Sequence, residues 1–247
     1  MIQEFGRVLA KELEFLIEST RTSENRTKLG EIIRDNLLNG ESNSFLHLKY
    51  SVKQQFIVEK VFPKHHEIVI SYDKLTNILV FISSFPYRNK RIKKSDFIRY
   101  HIENYFQEKY ILKNRMIAFA KILLRVYKSD FRHSNYQKEI EELFSTLKDF
   151  FKEDYEMRGK HVHQERLKSK KFSRLTLFEM LLYNESEEKE FLSQYYDKVY
   201  LEVRADWKKI LIQDLDRIKE ILDDYYNLII KYLVDENRLI YPKNIKV

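Results

Sequence analysis

The sequence predicts an all-α protein, in which an antiparallel helical bundle follows a mainly helical N-terminal extension. Only 4 Gly and 3 Pro occur among 247 residues, so sharp turns are few. Charged residues, at 34%, alternate with apolar residues at spacings of three and four, which is the period of an amphipathic helix. Aromatic residues reach 14%, which is sufficient to fill a core.

The first section, residues 1–90, is predicted to be a helical extension. Apolar residues at helical spacing, from Phe5 through Val8 and Leu9 to Ile17, predict a helix over residues 2–19. A shorter helix follows and is expected to end near Gly40, which suits a C-cap. A third helix is expected over residues 44–60, with its end near Pro63.

The next stretch, residues 66–85, allows two structures. Its β-branched residues would suit a small β-hairpin over residues 66–84 that turns at Asp73–Asn77. Alternatively, Ser71 caps a helix that buries Leu75 and its neighbours at helical spacing. We favour the helix because the rest of the chain has so little turn chemistry.

Residues 95–240 are predicted to form the bundle, after a basic linker. Ser95 is expected to cap a long helix with an apolar face that includes Phe97, Tyr100 and Tyr105. Asn135 is expected to cap the next helix. The stretch from residue 184 to Tyr241 lacks Gly and Pro, and a last long helix is expected before Tyr241. Long helices joined by short connections predict antiparallel packing.

Composition limits the function. The formal charge of +7 and the pI near 9.2 favour a polyanionic partner such as RNA, although solubility alone also explains them. No Cys is present, which excludes disulfides and thiolate metal sites. The apolar runs are too short to span a membrane and the N-terminus carries acidic residues, so we expect a cytoplasmic protein that does not associate with membranes. Phosphate-cradling glycine loops and nucleophile elbows are absent from the sequence.

The segment EDYEMRGKHVHQER, residues 153–166, interrupts the helical pattern. It contains Gly159, the only glycine after Gly40, and glycine costs a helix about 1 kcal/mol relative to alanine. In an unbroken helix Arg158 and His163 would lie about 140° apart around the axis. A helix end at Gly159 would instead allow both side chains to point at one spot.

This segment resembles the Arg-x4–6-His signature of the HEPN superfamily (higher eukaryotes and prokaryotes nucleotide-binding). Four residues separate Arg158 from His163, and the pair lies at the end of a predicted bundle helix. The resemblance covers roughly residues 95–240, and Gly159 departs from the polar residue that the family often has after its arginine. It implies a helical bundle that dimerises and a metal-independent endoribonuclease, with a role as a toxin or phage-defence effector that an antitoxin or other partner protein controls.

The resemblance implies specific roles. His163 acts as general base or acid when an RNA 2′-OH attacks the adjacent phosphate, since both of its protonation states are populated near neutrality. Arg158 binds the scissile phosphate. Neighbouring phosphates would contact a set of basic side chains: Lys160, His161, Arg166, Lys168, Lys170 and Lys171. Neither a metal nor another cofactor is implied.

Other interpretations stay open. Arg158 can pair with Asp154 or cap a helix end, His163 can have no chemical role, and the basic run 166–174 can be a solvated loop. His161 and His163 are not expected to form a metal pair, because side chains two apart on a helix diverge. The alternatives to a nuclease are a non-catalytic HEPN-like nucleotide- or RNA-binding module, a protein-interaction module, or a helical domain whose Arg–His pair is accidental.

Overall fold

The computed structural model of the chain describes residues 1–14, 51–84, 92–128, 133–152, 170–183 and 189–242, and these are almost entirely helical. This confirms the all-α prediction. The elements are α1 (Ile2–Glu12), α2 (Val52–Phe56), a π-helical segment (Ile57–Val61), α3 (Phe62–Ser83), α4 (Lys94–Val126), α5 (His133–Phe150), α6 (Lys170–Tyr183), α7 (Lys189–Leu233), β1 (Val234–Asp235) and β2 (Arg238–Leu239).

The N-terminal helix confirms the first prediction over its described length. α1 buries Phe5, Val8 and Leu9, which are the apolar residues that predicted it. The remainder of the predicted helix 2–19, and the helix expected to end near Gly40, fall outside the described residues.

Pro63 does not end a helix, contrary to the prediction. The chain runs from α2 through the π-helical segment into α3, and Pro63 is the second residue of α3. Proline lacks an N–H, and in a regular α-helix its ring clashes with the carbonyl four residues earlier, here that of Glu59. The wider π-helical turn, Ile57–Val61, lies where that clash would occur, so the helix continues.

The β-hairpin alternative over residues 66–84 is wrong, because α3 is continuous there. Its buried stripe includes Leu75, Ile78 and Ile82. Ser71 does not cap this helix. It is fully buried within α3, and its hydroxyl accepts a hydrogen bond of 2.5 Å from Arg115 of α4.

Two predicted caps lie one or two residues inside their helices. α4 begins at Lys94, so Ser95 is already helical. Its N–H donates a hydrogen bond of 3.0 Å to one carboxylate oxygen of Glu179 of α6, and its hydroxyl donates to the other oxygen. α5 begins at His133, so Asn135 is in its first turn. A carboxylate from a distant helix therefore satisfies a backbone N–H in the first turn of α4, and Ser95 donates its hydroxyl to that carboxylate.

The chain forms two compact units. The first comprises residues 1–67, 118–142 and 222–247, and the second comprises residues 68–117 and 143–221. In the first unit, the ring of Phe5 lies 6.2 Å from that of Phe119 and 5.6 Å from that of Tyr226. In the second unit, the ring of Trp207 lies 6.5 Å from Phe106 and 6.3 Å from Phe172.

A short hairpin after α7 was not predicted. β1 and β2 pair antiparallel around Glu236 and Asn237, whose φ angles are 45° and 61°. Two consecutive residues with positive φ form the tight turn that suits a twisted hairpin. Glu12 of α1 holds the hairpin, because its carboxylate accepts hydrogen bonds from the N–H of Leu239 at 3.1 Å and the hydroxyl of Tyr241 at 2.7 Å.

Within the described parts of the chain, no helix combines enough length with enough apolar character to cross a bilayer. The long helices α4 and α7 instead carry charged residues along their exposed sides.

Candidate functional site

The predicted catalytic pair lies outside the described residues. Arg158 and His163 fall within 153–169, as do four of the basic side chains expected to contact RNA: Lys160, His161, Arg166 and Lys168. Lys170 is the first residue of α6 and is exposed, and Lys171 follows it in the same helix. Roles for all of these residues stay predictions.

The helix ends on either side of that segment are held in the second unit by aromatic side chains. Beyond the end of α5, buried Phe151 lies with its ring 4.8 Å from that of Phe150. Near the start of α6, buried Phe172 packs on Trp207 and lies 5.6 Å below the guanidinium of Arg99. The chain therefore enters and leaves residues 153–169 at two anchored points.

A buried cation lies beside the first of these points. Lys109 of α4 is only 2% exposed, and its ammonium is 2.7 Å from the Asp214 carboxylate of α7. The same carboxylate accepts a hydrogen bond of 2.8 Å from the hydroxyl of Tyr105. The ammonium also lies 5.4 Å from the ring of Phe150 and 5.7 Å from that of Phe151. This arrangement fixes α4, α7 and the end of α5 together.

An open groove of about 350 Å³ lies between α3 and α4 in the second unit. α3 lines it with Lys74, Asn77, Ile78 and Phe81, and α4 lines it with Tyr100, His101, Asn104 and Glu108. Lys74 pairs with Glu108 at one end, and the Phe81 ring lies 5.5 Å from that of His101 at the other. Because the order of the partners is reversed, the two helices run antiparallel along this α3–α4 groove.

Aromatic rings occupy one end of the groove. Tyr100 is 62% exposed and Phe81 is 51% exposed, which is unusual for large rings in a protein with a well-filled core. We call these two rings the aromatic rim. Between them lies His101, which also packs edge-on against Phe97 with ring centroids 4.5 Å apart. Burial lowers the pKa of His101 below its ordinary value, so its imidazole is neutral at pH 7.

Polar groups occupy the other end. Lys74 donates a hydrogen bond of 3.2 Å to Oε1 of Glu108. The second oxygen, Oε2, is buried and has no hydrogen-bond partner in the described structure, although the Glu108 side chain is 16% exposed overall. The amides of Asn77 and Asn104 belong to the lining between the two ends. A buried carboxylate oxygen without a donor is costly to the fold.

Sequence reasoning missed this groove because it assigned Tyr100 to the buried face of α4. The buried face instead follows Ile98, Ile102 and Tyr105, which turns Tyr100 outward. The available signal was the helical spacing of polar and aromatic residues on both helices, at positions 74, 77 and 81 of α3 and 100, 104 and 108 of α4.

The groove has the chemistry of a small-ligand or base-binding surface rather than of a metal site. No cluster of three or more His, Asp or Glu side chains suited to a metal ion occurs among the residues that the structure describes. Stacking surfaces and amides, by contrast, suit a planar polar molecule. No protein-family model, curated protein or solved structure matches this chain.

Proposed function

We propose that this protein is a HEPN-like, metal-independent endoribonuclease that cleaves RNA with Arg158 and His163. The observation that carries the proposal is the anchoring of α5 and α6, which bracket residues 153–169 in an all-α fold. The formal charge of +7 and the exposed Lys170 at the start of α6 are consistent with a polyanionic substrate.

The proposed reaction needs no external reagent. The imidazole of His163 takes the proton of a ribose 2′-OH, and the 2′ oxygen attacks the adjacent phosphorus. The bond from phosphorus to the 5′ oxygen breaks, and that oxygen takes up a proton. The products are a 2′,3′-cyclic phosphate and a 5′-OH, while the guanidinium of Arg158 stabilises the charge on the phosphoryl oxygens.

The test is cleavage of mixed single-stranded RNA with and without EDTA. Wild-type protein should cleave in both conditions, and His163→Ala or Arg158→Ala should lower the rate at least about a hundredfold. His66→Ala is the matched control, because His66 is an exposed histidine of α3 that stacks on Phe62. Cleavage that EDTA abolishes, or that both variants retain, would contradict the proposal.

The second candidate is a module that binds RNA or nucleotides without cleaving them, and the α3–α4 groove favours it. Its exposed aromatic rim and its amides are groups that hold bases rather than groups that break phosphodiesters. Binding of RNA by the wild-type protein, with no cleavage under any condition, would select this candidate.

We further propose that the active form is a homodimer, joined through an apolar face on α6 and the start of α7. Its exposed members are Leu177, Met180, Leu181, Phe191 and Tyr195. The rings of Phe191 and Tyr195 lie 4.8 Å apart, so these two members are contiguous. Interfaces between identical subunits are more apolar than ordinary surfaces, which favours a second copy as the occupant.

Light scattering after gel filtration tests the dimer. Met180→Glu and Phe191→Glu should each shift the protein from dimer to monomer, and Leu201→Glu should not, since Leu201 is exposed on another side of α7. A wild-type monomer would refute the dimer without bearing on the nuclease.

A growth assay tests the role as a toxin. Expression of the wild-type protein should arrest bacterial growth, and His163→Ala should relieve the arrest.

A further inference from the structure

We propose that Lys109 is a positioning residue for the nuclease, because it fixes the direction in which the chain leaves α5 toward Arg158. The inference rests on the proposed function, since it concerns the same site. Lys109 does not touch the reacting atoms in this proposal, and it acts through the rings of Phe150 and Phe151 at the end of α5. Three features carry it: the burial of the ammonium, the groups that it contacts and the place of those groups in the chain.

The ammonium of Lys109 is held in one place. Lys109 is only 2% exposed, so it does not reach an RNA chain in solvent. Its Nζ atom lies 2.7 Å from a carboxylate oxygen of Asp214 on α7. The hydroxyl of Tyr105 donates a hydrogen bond of 2.8 Å to the same oxygen. Tyr105 lies one turn before Lys109, so two successive turns of α4 hold the Asp214 carboxylate.

The end of α5 packs on this ammonium. Nζ of Lys109 lies 5.4 Å from the ring centroid of Phe150 and 5.7 Å from that of Phe151. Nζ of Lys113, one turn further along α4, lies 5.9 Å from the Phe151 ring. The two rings meet edge-on, and Phe151 is buried. The attraction of a cation to an aromatic ring depends on direction, so these contacts fix the orientation of both rings.

The pair of Lys109 and Asp214 is a weak source of stability for the fold. Removing two charges from water costs about as much free energy as their attraction returns, and apolar side chains of similar volume often give equal or greater stability. Apolar contacts, however, allow several packing arrangements, whereas an ion pair with a shared hydrogen bond has one. The distinct contribution of this pair is therefore geometric.

The place of these contacts in the chain connects them with the proposed site. Only residues 152–157 separate Phe151 from Arg158. A guanidinium that stabilises charge on a phosphoryl group acts over hydrogen-bond distances. A displacement of about 1 Å in a catalytic group can slow a reaction about a hundredfold. The direction of the chain at Phe151 is therefore expected to affect the reaction more than the stability of the fold.

The test removes both charges together, in a protein that carries Lys109→Met and Asp214→Asn. Methionine fills the volume of the lysine stem and asparagine still accepts from Tyr105, so urea unfolding should show nearly wild-type stability. Cleavage of single-stranded RNA should nevertheless have a kcat that is lower by about tenfold or more. KM should change by about twofold or less, since Arg158 acts mainly in the transition state.

A second readout is the same pair of substitutions in the Arg158→Ala protein. If Lys109 acts through Arg158, the residual rate should fall by only about twofold or less there. The matched control is Lys231→Met with Glu139→Gln. It removes an ion pair of 2.8 Å between α7 and α5 in the first unit, away from the end of α5, and it should leave cleavage unchanged.

The outcomes are distinct. A stable double variant that cleaves slowly, and whose effect disappears in Arg158→Ala, supports the proposal. A stable double variant that cleaves at the wild-type rate overturns it, and so does equal slowing with and without Arg158; the nuclease stands in both cases. A double variant that unfolds would show that the pair is structural, which also overturns the proposal. Absence of cleavage by the wild-type protein would refute the nuclease and this inference with it.

Discussion

At the scale of single residues, His65 is a buried titratable group of the first unit. It is only 6% exposed, and Nδ1 lies 2.8 Å from the hydroxyl of Tyr226. The ring of Phe5 packs edge-on against it with centroids 5.4 Å apart. Burial, with a smaller contribution from the neighbouring His66, lowers the pKa of His65 to about 4. The imidazole is therefore neutral in the folded protein throughout the physiological range.

This predicts that the first unit loses stability in mild acid. The unfolded state takes up a proton near pH 6.5 and the folded state only near pH 4, so the stabilisation is complete above pH 6.5 and is lost as the pH falls toward 4. The loss should be about 2 kcal/mol between pH 7 and pH 5. Urea unfolding at both pH values measures it. His65→Gln, which cannot titrate but can still bond to Tyr226, should show a flatter dependence; equal slopes would contradict the assignment.

The buried ion pair of the second unit gives a prediction of the same kind. Asp214→Ala removes the carboxylate that faces Lys109, which is 2% exposed. A buried charge that loses its counter-charge is strongly destabilising, and we expect the free energy of unfolding to fall by about 3 kcal/mol. Lys64→Ala removes a partly exposed pair with Glu67 and should change stability little. Similar losses in the two variants by chemical denaturation would show that Lys109 does not depend on Asp214.

At the scale of elements, apolar periodicity predicted the helices well and their ends poorly. The stripe of α7, from Leu211 through Leu215 and Ile218 to Leu222, is buried as its spacing indicated. The ends depend on partners that are distant in sequence, as when Glu179 satisfies the N–H of Ser95. The passage of α3 over Pro63 depends on a π-helical turn, and no local pattern signals such a turn.

The start of α2 offers a test of local capping. Ser51 accepts from the N–H of Gln54 at 3.3 Å, and the Gln54 side chain accepts from the N–H of Ser51 at 2.8 Å, which completes a capping box. Ser51→Ala should lower the free energy of unfolding by about 1 kcal/mol. Ser51→Asp retains an acceptor and places a negative charge at the helix N-terminus, so it should keep wild-type stability. A melt in which both substitutions cost the same would show that the hydroxyl does not act as a cap.

At the scale of the whole molecule, sequence and structure contribute different parts of the functional proposal. The sequence predicts Arg158 and His163 as a catalytic pair from their position in the chain, and the described structure gives the helices before and after them. The groove depends on two helices meeting in a particular register, which pairs Lys74 with Glu108. That register follows from packing, so reading α3 and α4 separately could not have predicted it.

The formal charge of +7 makes the salt dependence of RNA binding a direct measure of phosphate contacts. A protein that contacts about five phosphates of single-stranded RNA should lose about a hundredfold in affinity between 50 and 200 mM salt. Fluorescence anisotropy with labelled RNA and the His163→Ala protein measures the slope of log affinity against log salt.

Each of Lys168→Ala and Lys170→Ala should reduce that slope by about 0.7, because one phosphate contact is lost. Lys64→Ala, which removes a lysine paired with Glu67, should leave it unchanged. A flat RNA slope would show that the positive charge serves solubility and that the segment 153–169 does not contact a phosphate backbone.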